Sequence, residues 1–435
     1  MGTLEYMIKF LHKILAYLAK KVIKKYNPLV IGVTGSVGKS STKEAIYTVL
    51  RDKFNVRCSS KNYNNEVGLP LTIFGSLSPN KNIAGWLKIF LKIGKMLLFQ
   101  VNYPRILILE MAADHPGDIK YLVNIAPLKI GVITAIGLTH TEFFKNINSV
   151  AKEKQNLISN LGEKDWAILN IDDERVMAMV DKTSAQILTF GLSEKADIQA
   201  TEIQICQELL DAGTPQIKGL TFKVHYKGST VPAFLPKTIS QAQIYSALGA
   251  IAVGLALGLN LIDIIKTLPK RKALPGRLTM IHGIRETLIL DDTYNSSPQA
   301  VKLALSSLDK IKIAPRARKW VVLGDMLELG KLSKNAHQEI GQKIYKMNFD
   351  YLVVVGKEAK QISEGAERSG MAQARIFNFE NSLEAADFLQ SKIYEGDVIL
   401  IKGSQGVRLE KIVKKLMLKP EQAKKLLVRQ GKEWR

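Results

Sequence analysis

The chain has 435 residues, 46% apolar and 23% charged, which suits a globular protein of two or three domains rather than one core. Lysine and arginine outnumber aspartate and glutamate by 62 to 40, a formal charge of +22, so an anionic partner is favoured: nucleotide phosphates, nucleic acid or an anionic membrane surface. Cys58 and Cys206 lie far apart without ligand spacing, which argues against a disulfide framework or a zinc site, and no apolar run reaches the ~20 residues of a membrane span.

In chain order, residues 1–27 place Leu4, Met7, Ile8, Leu11, Ile14, Leu15, Leu18 and Val22 at helical spacing with lysines between them, and Asn27-Pro28 ends the run. No secretory signal is expected there, and a cytoplasmic location fits. Such a basic amphipathic helix either packs on the next domain or lies in a membrane interface. Trp86 to Phe99 repeats the pattern with Lys88, Lys92 and Lys95, so peripheral contact with an inner membrane face stays open beside plain packing.

From Pro28 strands and helices alternate. Leu29 to Thr34 reads as a strand, a helix follows from about Lys39 to Leu50, and further strands are expected over 105–111, 129–137 and 166–172. This is the pattern of a mainly parallel sheet covered on both faces. Between roughly 187 and 238 the texture changes: Leu220, Phe222, Val224 and Tyr226 alternate, which suggests a small antiparallel patch beside that sheet. Ser240 to Leu259 is an almost wholly apolar helix, read as buried. Past the Pro275-Gly276 turn the alternation restarts with 286–292, KWVVLG, YLVVVG and DVILIKG, and the last 25 residues are expected to be helical and basic. The expected fold class is α/β: a basic helix over 1–27, a central phosphate-loop domain over 28–273 with a mainly parallel sheet, and a Rossmann-like α/β domain over 274–435.

The chemistry is carried first by Ile31 to Lys43, IGVTGSVGKSSTK. Gly35 and Gly38 let the backbone turn and free its N–H groups for phosphate oxygens, Lys39 adds a point charge, Ser40 a hydroxyl suited to Mg²⁺, and the helix start a favourable dipole. Val33 stands where the strict pattern has glycine, so the spacing is a variant. The strand 105–111 ends in Glu110, at the edge where a parallel sheet presents its ligands, and a carboxylate there could hold Mg²⁺ beside Ser40. His140 follows the next strand. Lys152 and Lys154 fall in a basic helix and would ordinarily be solvated.

TGSVGKSSTKE, SKNYNNEVGLP, LEMAADHPGDI, GLTHTEFFKNINSVAKEK, LNIDDERV, PGRLT, DDTYNSSPQAV, LGDMLELG and KGSQGVRLEKIV occur in this order. Together, over residues 28 to about 413, they resemble the Mur ligase family, and DDTYNSSP and LGDMLELG its MurF type. The resemblance implies an ATP-dependent amide ligase of cell-wall precursor synthesis. ATP and Mg²⁺ would be its cofactors, and a muramoyl-peptide precursor and D-alanyl-D-alanine its partners. A carboxylate would be activated as an acyl phosphate and then captured by an amine. It also implies that Gly35, Ser36, Val37, Gly38, Lys39, Ser40 and Ser41 bind the triphosphate, and that Ser40, Glu110, His140 and a carbamate on Lys154 hold metal. Arg277, Asp292 and Asn295 would reach the nucleotide from the second domain. Asn62, Asn64, Asn65 and Glu66 would touch the muramoyl peptide, and Lys402, Ser404 and Arg408 the amino substrate.

Three departures accompany it. Only residues 1–27 precede the phosphate loop, where family members carry a domain gripping the uridine diphosphate sugar. The usual Gly-Ala-Asn after the strand glutamate is Ala112-Ala113-Asp114, and the His-Asn…Asn signature of the central helix is Ala242-Gln243…Ser246. Two other readings therefore stand beside the first: a ligase acting on a lipid-linked or other peptide carrier at the membrane surface, and a non-catalytic nucleotide-binding partner subunit. No nucleic-acid-binding signature is present, so no nucleic acid is expected.

Overall fold

The computed structural model describes residues 3–59, 63–80, 82–137, 143–144, 146–210, 214–431 and 434. The first of its two sheets contains β1 (Leu29–Thr34), β2 (Val56–Cys58), β3 (Ile106–Glu110), β4 (Ile130–Ile133), β5 (Trp166–Asn170), β6 (Gln186–Gly191), β7 (Ile198–Leu209), β8 (Pro215–Tyr226) and β9 (Ser229–Pro236). Their order is β2-β3-β1-β4-β5-β6-β7-β8-β9, parallel as far as β7 and antiparallel beyond. The central strands are β-branched and apolar on both faces because both faces are covered. Leu107 and Leu109 of β3 point into one core, Ile106 and Ile108 into the other.

The first core is roofed by α1 (Thr3–Tyr26), α3 (Gly68–Phe74), α4 (Ile83–Leu98), α5 (Asp118–Ile125), α6 (Ile147–Gln155) and α7 (Glu174–Met177). The second is roofed by α2 (Lys39–Leu50), α8 (Gln241–Ala256) and α9 (Leu261–Thr267). Helix α8 is enclosed between α2 and the β5–β6 region, as its almost wholly apolar composition requires. Among the described residues no helix is long and apolar enough to cross a membrane. Helix α1 packs through Leu15, Ala16, Ala19 and Val22, so the packing reading of that segment holds for its inner face.

The antiparallel part is larger than the expected patch. β7 and β8 are each 12 residues long and continue the main sheet, because β7 pairs in parallel with β6 at Phe190↔Ile198 before the hairpins begin. Leu220, Phe222 and Val224 all face the second core, as their alternation requires.

The second sheet has the order β10-β11-β15-β12-β13-β14, with β10 (Thr279–His282), β11 (Leu288–Asp292), β12 (Lys319–Gly324), β13 (Tyr351–Val355), β14 (Ile376–Phe379) and β15 (Val398–Lys402). Only β10 is antiparallel. The chain passes from one sheet to the other within 271–278. The C-terminal segment differs from the helix expected of it. Helical turns at Glu410–Leu416 and Ala423–Leu426 are parted at Pro420, and Arg429 adopts φ 55°. Its guanidinium is drawn to Glu410 and to the carbonyls after β11, contacts that a continuing helix could not make.

Candidate active site

β1 lies between β3 and β4, so the connections leaving those strands diverge and open a cleft at their carboxyl ends. The loop from β1 to α2 fills its mouth. Gly35 has φ +144°, and a Cβ there would sit 1.9 Å from Thr134 Oγ1, while Gly38, at φ +91°, caps α2. Val33 is buried in register with Glu110 as a strand residue, so the turn begins at Gly35 rather than where the strict pattern has glycine. The loop is tied down from the β4 side: Thr134 Oγ1 donates to Val37 O (2.6 Å), Ser36 N donates to Ala135 O, and the Ser36 hydroxyl exchanges hydrogen bonds with the backbone of Gly137. The hydroxyl of Ser41 accepts from Gln243 Nε2 at 3.4 Å, and Gln243 in turn receives Arg271. Gln243 of the departed signature therefore still faces the loop helix.

Glu110 is 2% exposed and sits at the floor of the cleft. Its Oε1 accepts from Ser40 Oγ (3.1 Å) and Asn64 Nδ2 (3.2 Å), and Lys43 Nζ stands 3.4 Å from Oε2. Burial pulls its pKa upward, but Lys43, Lys39 and the two hydrogen bonds outweigh it and hold the carboxyl below its usual value. Oε2 is nonetheless buried without a hydrogen-bond partner. An anionic oxygen that takes no hydrogen bond, with only the Lys43 ammonium at 3.4 Å beside it, fits a hard divalent cation such as Mg²⁺ next to the Ser40 hydroxyl. Among the described residues no three His, Cys, Asp or Glu side chains gather, so Glu110 and Ser40 could supply only part of an octahedral shell. Phosphate oxygens and water would supply the rest.

Lys39 Nζ donates to Gly35 O at 2.7 Å, curling back over the loop. Burial lowers its pKa, Glu110 opposes the shift, and Arg277 adds to it. Lys154 is buried on α6, not solvated. Burial and then the Lys39 charge push its pKa down to about 7, against smaller pulls from Glu153 and Asp114. An amine of that kind is about half uncharged near neutrality, and the uncharged form is the nucleophile that can take up CO₂. Glu153 beside it is spent elsewhere, accepting from the backbone N–H groups of Gly117 and Ile119 at the start of α5.

The second domain closes the cleft from above. Arg277 stacks over Tyr294, 4.0 Å from guanidinium to ring. A cavity of about 480 Å³ is lined by Ser40, Lys43, Arg277, Tyr294, Arg429 and Trp434 among others, so both domains contribute to it. Asp292 and Asn295 are tied together by Lys402, whose Nζ reaches Asp292 Oδ2 and Asn295 O, both at 2.8 Å. Lys402 is buried and its pKa lowered by that burial, against Asp292. Ser404 is also buried, accepting from Leu327 N at 2.9 Å. Arg408 is partly exposed and paired with Glu410 (2.5 Å).

On the other side of Glu110 a second cavity, of about 710 Å³, is lined by Asn64, Asn65, Glu66, Asp114 and His115 and by Phe10 and His12 of α1. Asn65 Oδ1 accepts from Gly68 N, the first residue of α3 (2.9 Å), and Glu66 stands 3.7 Å from His12. His140 and Asn62 lie outside the described residues. The structure thus brings together Gly35 to Ser41, Glu110, Lys154, Asn64 and, from above, Arg277, while Lys402 and Ser404 are enclosed within the second domain. Lys43 and Arg429 were not singled out from the sequence. Lys43 had a signal, being four residues after Lys39 on the same helical face. Arg429 had none.

The residues 33–84 and 90–254 match the Mur ligase middle domain, and 276–405 the Mur ligase glutamate ligase domain. A UDP-N-acetylmuramoyl-tripeptide–D-alanyl-D-alanine ligase of Bacillus subtilis is 30% identical over 406 residues, 93% of this chain and 79% of the relative. The enzyme of that name from Escherichia coli is 27% identical over 403 residues, 92% and 79% of the two chains. Among solved structures, the MurF ligase of Thermotoga maritima in complex with ADP superposes with a TM-score of 0.75 at 28% identity, covering 93% of this chain and 83% of the other. MurF from Acinetobacter baumannii gives 0.76 at 25% identity, covering 92% and 79%. The chain belongs to the Mur ligase family, in its MurF group.

Proposed function

We propose that this protein is an ATP-dependent carbon–nitrogen ligase that joins D-alanyl-D-alanine to the terminal carboxylate of a muramoyl tripeptide. The observation that carries the reading is the convergence, at the carboxyl edge of β1 and β3, of the Gly35–Ser41 loop, the half-satisfied carboxylate of Glu110 and the buried amine of Lys154, with Arg277 facing them.

The reaction has two steps. A carboxylate oxygen of the peptide attacks the γ-phosphorus of ATP, the bond to ADP breaks, and an acyl phosphate forms. The amino group of the dipeptide then adds to the acyl carbon, its proton is lost, and the tetrahedral intermediate collapses with phosphate as leaving group. Both steps gather negative charge, so the protein's work is positioning and neutralisation. The loop N–H groups and Lys39 cradle the β- and γ-phosphates, and Arg277 approaches from the second domain. Mg²⁺, held by Glu110 and Ser40 with Lys154 as a carbamate and His140 completing the set, would screen the phosphate charge. Asp292 and Asn295, held in place by Lys402, take the nucleoside end. The Asn64–Glu66 cavity takes the peptide, its mixed lining offering amide and carboxylate groups beside the apolar Phe10 and Leu122. Arg408, still partly exposed, is the candidate among the last three residues for contact with the amino substrate.

The test is a coupled measurement of ADP and of product mass with ATP, Mg²⁺, bicarbonate, a UDP-linked muramoyl tripeptide and D-alanyl-D-alanine. ADP is expected only when both substrates are present, with a product heavier by the dipeptide less water. ADP release that is unchanged when either substrate is omitted would overturn ligation.

A further inference from the structure

We infer that the outer faces of α1 and α4 form a docking surface for an anionic phospholipid bilayer. The inference is independent of the ligase reading. Helix α4 is apolar on two sides. Ile89, Ile93 and Met96 are buried, whereas Ile83, Leu87, Leu91 and Leu98 on the opposite side are 61% to 85% exposed. They form one stripe along a helix about 24 Å long. A globular helix normally turns polar residues to solvent, and an exposed apolar stripe marks an interaction surface.

Past Glu5 near the start of α1, the two helices carry only basic charges. Not one Asp or Glu occurs from Tyr6 to Lys43 or from Val67 to Leu109. Lys88 and Lys95 flank the apolar stripe of α4, and the outer face of α1 carries Phe10, Tyr17, Lys20, Lys21 and Lys24. The two helices are fastened where they end: Lys25 Nζ donates to the carbonyls of Met96, Leu97 and Phe99, and Tyr26 Oη to that of Met96. These contacts fix the end of α1 against the end of α4.

Side chains so exposed protrude rather than line a groove. A protein partner would have to supply a groove for them, whereas a bilayer interface accepts protruding leucines anywhere in its plane and places lipid phosphates at the level where flanking ammonium groups end. Helix α1 also lines the 710 Å³ cavity with Phe10 and His12, so docking would hold that cavity at the membrane surface.

The test is co-flotation of the full chain with vesicles of phosphatidylcholine alone or mixed with phosphatidylglycerol. Binding is expected to the anionic vesicles only, and to weaken as salt shortens the screening length. The variant Leu87→Asp/Leu91→Asp and, separately, Lys88→Glu/Lys95→Glu are each expected to bind at least about tenfold less. Their thermal unfolding should be unchanged, since these side chains are exposed. No binding by the wild-type chain to anionic vesicles, or equal binding by both variants, overturns the inference. So does a dimer in sedimentation equilibrium that Leu87→Asp/Leu91→Asp dissolves while vesicle binding is absent, which would make a second copy the occupant.

Discussion

Lys43 Nζ lies 3.4 Å from Glu110 Oε2, an ion pair with both side chains almost wholly out of solvent. Lys43 also donates to Ser59 Oγ at 2.9 Å, so its ammonium bridges the strand end and the segment after β2. The pair keeps Glu110 ionised in a place where burial favours the acid. Removing one partner of such a pair leaves an uncompensated charge, so Lys43→Met is expected to lower unfolding free energy by about 3–5 kcal/mol. Lys43→Met/Glu110→Gln should recover part of the loss. Urea unfolding checks this, and a single variant within error of wild type would contradict it.

Gly35→Ala tests the loop. A methyl group would meet Thr134 Oγ1 at 1.9 Å in a backbone region that L-residues avoid. Strain of this kind costs about 1–3 kcal/mol, so ADP affinity by calorimetry should fall about tenfold or more. Unchanged affinity would mean that the loop does not shape the phosphate site.

For Lys154 the expectation is a requirement for CO₂. With a pKa near 7, the amine is increasingly protonated as pH falls below that value and then cannot form a carbamate. Enzyme stripped of bicarbonate should lose activity and regain it on addition, with the larger deficit at the acid side. Lys154→Ala should lose about 10²-fold in rate, with partial rescue by short carboxylates. Indifference to both bicarbonate and added acids would remove the carbamate from the account.

Asp291 gives a pH dependence of stability. It is fully buried on β11 with Oδ2 unpartnered, and burial pushes its pKa up to about 6 from 3.8. Between those values the native state keeps a proton that the unfolded chain has released, so this residue's contribution falls as pH rises across the window. The total is about 3 kcal/mol. Asp291→Asn should flatten that slope and unfold at a higher temperature than wild type at pH 7.5. A variant less stable than wild type at pH 7.5, with the slope intact, would refute it.

Arg429 is the tie between the chain end and the upper wall of the cleft. It pairs with buried Glu410 and donates to the carbonyls of Thr293 and Tyr294. Arg429→Ala should cost about 1–3 kcal/mol of stability. It should also raise the KM for ATP more than it lowers kcat, because Tyr294 and Arg277 lose their support. Equal losses in both parameters would point to a different role.

By itself the sequence determined the parts whose conformation is local. Alternating and almost wholly apolar runs set β1, β3 and the enclosed α8, and Gly35 and Gly38 set the loop, since each depends on backbone preferences and neighbours within a turn or two. The motif order also carried the family, and with it Glu110 and Lys154 as candidate site residues. Tertiary structure alone decided which distant groups meet. Lys43 finds Glu110 across the sheet, Lys402 is enclosed with Asp292, Arg429 turns the expected terminal helix back on Glu410, and the hairpins of β7 to β9 extend the main sheet. The physical reason is that a side chain's partner, burial and protonation state are properties of the space several segments share. The sequence specifies that space only through the whole fold. The same lysine-rich pattern in α4 is thus compatible with packing on both sides or on one, and only the folded arrangement leaves Leu87 and Leu91 in the open.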